Sequence, residues 1–264
     1  MRVLTTVCEI GRYTQGSIFT GLRVADGSSR YGIVITARCD IAHQKSRSIV
    51  CLPVYRLDDW LTLRGNTEIA EQSVAAIQNM VAEILARYDI ASRAIEIYGV
   101  ERTLDILDQK GIKKDDRKKL ETFRPFLLTR DTSSKIKTLI ENRKRYIESI
   151  IKNSRTDTFF LERLSHNGEV TGYVVDLAEP VCVSQKSLHE LSKGLEYIKY
   201  KRESDSTYRN IIVPEGEQAR VFATLQSPYV ELLLQRFSHF YSRIGTPDIA
   251  KPDLNKVRKL YEID

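Results

Sequence analysis

The chain has 264 residues, 42% of them hydrophobic and 29% charged, an ordinary globular composition with length for one large domain or two small ones. No apolar run approaches the roughly 18 residues that span a bilayer, and the N-terminal MRVLTTVCEIGRY lacks the apolar core of a secretory signal, which argues against a membrane segment or export. The formal charge of +6 permits contact with a polyanion without demanding it.

That charge is unevenly placed. Residues 109–155 hold fifteen Lys and Arg against six Asp and Glu, a net of +9, so everything outside this segment sums to −3. A compact basic region in an otherwise slightly acidic chain points to nucleic acid more strongly than the total does; a solvated helical face is the plainer explanation. Cys8, Cys39, Cys51 and Cys182 show neither metal nor disulfide spacing, which suits buried thiols in a reducing cytoplasm.

In chain order, residues 1–56 read as β-rich. Gly16 to Thr20 forms a short strand after a turn, and Asp26-Gly27-Ser28-Ser29 is turn chemistry. The apolar runs Ile33 to Thr36 and Ser48 to Leu52 read as a strand pair. Their polar connector carries Arg38, Cys39, Asp40 and His43. From Asn66 the apolar period changes from about 2 to about 3.6. Ala70, Val74, Ile77, Val81, Ile84, Leu85 and Tyr88 make one stripe, with Asn66 or Thr67 as its cap. Shorter helices are predicted at 92–98, 100–110 and 115–123, stopped by Gly99, Gly111 and Pro125. A second long helix over 132–153 turns Ile136, Leu139, Ile140, Ile147, Ile150 and Ile151 inward; Lys135, Lys137, Arg143, Lys144 and Lys152 lie opposite.

The strand period then returns. Thr158 to Leu164 and Glu169 to Val175 flank Asn167-Gly168, a strong hairpin signal. Cys182 and Val183 continue the β region, and a short helix over 187–193 ends at Gly194. The charged stretch 196–206 reads as a surface loop, and 220–225 as a strand. A helix over 227–243, capped by Ser227 with Pro228 at its first position, presents Val230, Leu233, Phe237, Phe240, Tyr241 and Ile244 as its seam; Gly245 and Pro247 end it. The expected class is α+β: residues 1–60 and 156–264 make one β unit closed by a C-terminal helix, and a basic, all-helical insertion at 66–153 splits it.

The N-terminal β stretch resembles the small SH3-like barrel of the MazF/PemK/CcdB toxins. Gly16-Ser17-Ile18-Phe19 stands for the family's Gly-led strand, Arg30 to Thr36 for its Arg-led apolar strand, and Val50 to Tyr55 for its strand ending near a Pro. Residues 173–181 resemble a later strand. The helical insertion has no counterpart, and Ser17 stands where the family has Asp. The resemblance implies an SH3-like barrel and metal-independent RNA cleavage, with Arg30 stabilising the phosphate and its developing charge. Tyr55 occupies the position of the family's small hydroxyl, where its phenol could bond a phosphate or stack on a base.

The residues read without the family give weaker chemistry. Cys39 with His43 is a nucleophile–base spacing, but a turn capped by Asp40 explains the same residues. Cys39, His43 and Cys51 fit no metal spacing, and no cofactor motif appears. Arg38, Lys45 and Arg47 make the connector cationic. His166 reads as exposed in a hairpin turn, His239 as structural and Trp60 as the anchor between barrel and helices; Phe159 and Phe160 could stack bases, but alternate strand faces put at least one of them in the core. The expectation is a cytoplasmic, nucleic-acid-engaging toxin-like or phage-defence component without cofactor or metal. If it cleaves RNA, Arg30, Arg38, Asp40 and Tyr55 carry the chemistry, while Lys45, Arg47, Lys135, Arg143 and Lys144 hold the strand. The rival is a catalytically inactive module whose helical insertion docks a partner protein, an antitoxin or a defence-system subunit. A homodimer is left open.

Overall fold

A computed structural model describes residues 4–165, 170–203 and 207–242. Strands β1 (Thr5–Val7), β2 (Ser17–Arg23) and β3 (Ser29–Val34) lead through a short helix α1 (Arg38–Ala42) to β4 (Ser48–Arg56). The helical segment follows: α2 (Leu57–Trp60), a π-helical turn (Leu61–Gly65), α3 (Asn66–Ala86), α4 (Ala94–Gln109), α5 (Lys114–Thr129) and α6 (Lys137–Ile151). The chain returns to the sheet as β5 (Thr158–Leu161), β6 (Tyr173–Asp176) and β7 (Val181–Ser184). After α7 (Gln185–Lys193), β8 (Leu195–Glu196) and α8 (Tyr197–Arg202), it ends with β9 (Gln218–Ala219), β10 (Val221–Leu225) and α9 (Tyr229–Ser242).

The protein is a mixed α/β fold on one antiparallel sheet of order β1-β10-β2-β3-β4-β6-β5, with β7 on the other half of β4. Its outermost strands, β1 and β5, do not pair with each other. The expected closed barrel is therefore an open sheet. β4 explains why the sheet branches: Ser48–Cys51 pairs with β7 and Val54–Arg56 with β6. Pro53, with no N–H to donate, falls between the two segments.

Strand alternation gives each face its own core. Leu52 and Val54 point with Ile18, Ile33, Phe159 and Val175 toward α9, where Val230 and Leu233 are buried. Ile49 and Cys51 point the other way, with Phe19 and Val34, into a cluster closed by Leu188 and Leu191 of α7. Tyr55 and Val174, also on that second face, pack into the core of the helical segment.

The apolar stripe of α3 forms as its spacing predicts, but Asn66 does not cap it. Gly65 before it is already right-handed helical, and the chain is helical from Leu57. Burial of Trp60 starts the helix early, and the π-helical turn makes the junction with α3. Gly99, at φ 78° and ψ 167°, is non-helical and breaks α4 into two helical stretches, as expected of a stop between residues 92–98 and 100–110. Pro125 does not stop α5, which runs to Thr129 and ends on left-handed Arg130. In α6 the inward residues include Tyr146, while Ile140 and Ile151 are exposed. The Trp60 indole N–H donates to Tyr146 Oη at 3.1 Å, fastening α2 to α6.

The predicted hairpin pairs from Thr158↔Asp176 to Leu161↔Tyr173. Its Asn167-Gly168 turn and His166 lie outside the described residues, as do Ile244, Gly245 and Pro247. The stretch read as a charged loop from 196 instead forms β8, paired with β9, and α8. Ser227 does not cap α9, which begins at Tyr229 after a cis Ser227-Pro228 bond.

Candidate nucleic-acid interface

Three aromatic rings gather at the end of the sheet that the Val230 and Leu233 core of α9 leaves half open. Tyr31 on β3 stands at 5.9 Å from Tyr173 on β6 and at 5.9 Å from Phe222 on β10, edge to face with both. Register puts them there. Tyr31 pairs with Val54 of β4 and with Thr20 of β2, and Tyr173 pairs with Arg56. A β-bulge between Val221 and Ala223 brings Phe222 to the same side, because the extra residue shifts the alternation. All three rings are half-buried.

Two cavities adjoin along this edge and share Thr20 and Tyr31. The first, of about 410 Å³, is walled by the three rings with Arg220, Leu164 and Ser165. The second, of about 270 Å³, is walled by Arg30, Arg56, Asp59 and Ser29. Arg30, Arg56 and Arg220 form no ion pair with a described residue. Burial raises the Tyr31 phenol above its ordinary value, the neighbouring Tyr173 adds to this, and Arg56 opposes it. The edge thus presents aromatic surface beside guanidinium groups that are in no ion pair with a described residue, with Asp59 the carboxylate on the wall.

The residues expected from sequence divide into two places. Arg30 and Tyr55 meet: the guanidinium lies 5.4 Å from the centre of the Tyr55 ring. Tyr55 is buried, its ring 5.5 Å from that of Trp60, and burial pushes its hydroxyl up to about 12. It offers no open ring face to a base and stays protonated at neutral pH. Arg38, Asp40, Lys45 and Arg47 lie at the opposite end of the β3–β4 pair, beyond Val34↔Cys51. Arg30 precedes Val34 by four residues, about 13 Å of strand. The expected four-residue catalytic set therefore does not assemble.

Of the helical cations, Lys135, Arg143 and Lys144 line neither of these cavities. Lys144 is exposed and follows two residues before Tyr146, about 200° around α6 from the side chain that faces Trp60. Lys135 is exposed ahead of α6, and Arg143 is half-buried on it. Phe159 is buried toward α9 and Phe160 packs on the helical core, so neither joins the open rings. Cys39 is exposed, with Sγ 3.7 Å from Asp40 Oδ1. Among the described residues no cluster of His, Cys, Asp and Glu could hold a metal ion, and no helix is long and apolar enough to cross a membrane.

Sequence reading passed over Tyr31, Tyr173, Phe222, Arg56 and Arg220. The available signal was Tyr31 two residues before Ile33 and Tyr173 two before Val175, an aromatic extending an apolar strand face. Which strands lie side by side was not in that pattern.

A second polar cluster lies on the other face. Asp176 is buried, accepts the Ala178 N–H at 2.8 Å through Oδ1, and has no hydrogen-bond donor on Oδ2. Arg64, from the π-helical turn, places Nη2 at 3.3 Å from Asp176 Oδ2 and 2.5 Å from Glu179 Oε1, with its guanidinium 5.2 Å from the Trp60 ring centre. Burial raises the Asp176 carboxyl to about 6 despite Arg64. Arg64 thus joins helical segment to sheet.

The fold and this edge define an α/β protein with an open antiparallel sheet, an interposed helical segment and a cationic aromatic groove. Comparison with protein-family models, curated proteins and solved structures yields no match to the chain.

Proposed function

We propose that the chain binds single-stranded nucleic acid along the Tyr31 edge of its sheet. The observation that carries this is the Tyr31–Tyr173–Phe222 ring cluster set between Arg220 at one end and Arg56 at the other, with Arg30 turned to the opposite face against Tyr55. Unpaired bases stack on aromatic rings, while guanidinium groups track the phosphates. A paired duplex has no free base to offer such a surface. The cations of residues 109–155 add long-range attraction for the same polyanion.

The likeness of β2 to β4 to the SH3-like toxin barrel supports this reading through the Arg30 position, and with it a toxin-like or defence role. Metal-independent RNA cleavage is the stricter form, in which Arg30 holds the scissile phosphate. Fluorescence anisotropy with labelled single-stranded and duplex RNA tests the binding. Tyr31→Ala should weaken single-strand binding by about tenfold or more, the loss of one stacked base. Equal affinity for duplex and single strand, unaffected by Tyr31→Ala, would overturn the proposal. Cleavage is tested separately: RNA left intact by the wild type removes the nuclease form alone.

A second reading rests on the exposed apolar side chains of the helical segment. Ile97, Tyr98 and Leu128 are each more than half exposed, at 65%, 58% and 53%. Such residues suit a protein partner. Flat salt dependence with no nucleic-acid binding, together with a stoichiometric co-purifying protein, would favour it.

A further inference from the structure

A cavity of about 910 Å³ opens where the turn after β2, the turn between β6 and β7, and residues 208–211 meet. It shares no lining residue with the two cavities at Tyr31. Its far wall is fixed. The Arg23 N–H donates to the Asn210 carbonyl at 2.9 Å, the Ile212 N–H to the Gly21 carbonyl at 2.9 Å, and Asn210 Nδ2 to the Cys182 carbonyl at 2.8 Å. Gly21 permits this approach: at φ +90° it has no Cβ, and one would lie 2.6 Å from the Ile212 carbonyl oxygen. The wall is thus pinned to both β2 and β7.

On that wall the ring of half-buried Tyr200 stands 5.8 Å from the ring of buried Tyr208. Tyr200 Oη donates to the Ile211 carbonyl at 3.3 Å, which fixes the ring in place. Arg23 and Arg209 line the cavity, are exposed, and make no ion pair with a described residue. The carboxylate on the lining, Glu179, is already held by Arg64 at 2.5 Å. The unbalanced charge of the cavity is therefore positive, and it sits beside an ordered aromatic ring.

We infer that this cavity binds a small phosphorylated ligand carrying a planar ring, of the nucleoside monophosphate class. Guanidinium groups match phosphate oxygens in bidentate geometry, better than an ammonium does. The Tyr200 ring supplies a surface for a base. The volume lies within the range of roughly 300–1,000 Å³ typical of small-molecule sites, far more than a lone phosphate fills. The inference does not rest on nucleic-acid binding at Tyr31, since the two sites share no lining residue.

Isothermal titration and thermal shift on the full chain, with AMP, GMP, adenosine and inorganic phosphate as probes, test it. A monophosphate should bind and raise the melting temperature. Adenosine and phosphate should each bind at least about tenfold more weakly, as expected when a charge-assisted contact or the ring contact is absent. The double variant R23E/R209E should lose the monophosphate response while keeping the unliganded melting temperature, because both side chains are exposed. Tyr200→Leu should erase the preference for monophosphate over free phosphate. Monophosphates binding no tighter than inorganic phosphate, or binding that survives R23E/R209E, would overturn the inference. So would binding abolished by Tyr31→Ala, which would assign the ligand to the other groove.

Discussion

Arg64 reaches across from the π-helical turn to within 3.3 Å of the buried carboxylate of Asp176, an ion pair between the helical segment and the sheet. Asp176 is only 1% exposed, so desolvation of its charge outweighs the attraction, and its carboxyl titrates near 6 rather than in the usual carboxylate range. The folded state thus holds this proton more tightly than the unfolded chain does. The contribution of Asp176 to stability is full below pH 4 and is lost as pH rises through about 6. Asp176→Asn should flatten the stability profile between pH 4 and 6.5. It should also raise stability at pH 7.5, by at most about 3 kcal/mol. Urea denaturation at stepped pH measures this, and an unchanged slope would show that the carboxylate is ionised throughout.

Gly32 is a packing requirement rather than a flexible point. A Cβ there would meet Phe19 Cζ at 2.3 Å, and Phe19 is fully buried with nowhere to move. Gly32→Ala should cost about 1–3 kcal/mol, as overpacked cores do. A melting temperature equal to wild type would mean that Phe19 repacks freely.

Trp60 fastens the helical segment through a single hydrogen bond to Tyr146 and an edge contact with Tyr55. Trp60→Phe keeps an aromatic ring and removes the donor. Tyr146 Oη still reaches Glu68 at 3.2 Å, so the expected loss is only about 1–2 kcal/mol. Trp60→Ala opens a cavity as well and should cost about 3–5 kcal/mol. Chemical denaturation of both variants separates the bond from the packing.

Binding at the Tyr31 edge should be salt-dependent in proportion to the cations used. For single strands, each phosphate contact removed should reduce the slope of log affinity against log salt by about 0.7. Arg220→Ala and Arg56→Ala should each show that change, and Arg38→Ala should not, because it lies at the other end of the β3–β4 pair. A slope that moves for Arg38 but not for Arg220 would relocate the interface to the α1 loop.

The sequence by itself determined the order of the β-rich and helical blocks, though not α1, β8 or α8, along with the stripe of α3 and the strand identity of residues around Ile33, Val50, Val174 and Val221. Those are local signals, carried by spacing along one element. It also determined that the positive charge is concentrated in residues 109–155. Where helices begin was less legible: Trp60 and Pro125 were read as boundary residues, yet packing of the Trp60 indole and of Phe126 keeps the backbone helical through both regions. Tertiary structure decided that the sheet stays open, and that Arg30 keeps company with Tyr55 while Arg38 and Asp40 do not. It also placed Tyr31, Tyr173 and Phe222, from strands far apart in the chain, at one edge. The physical reason is register. A strand's own pattern says which residues share a face, but which residues become neighbours across strands depends on pairing, bulges and the branch at β4, and these are settled only when distant segments meet.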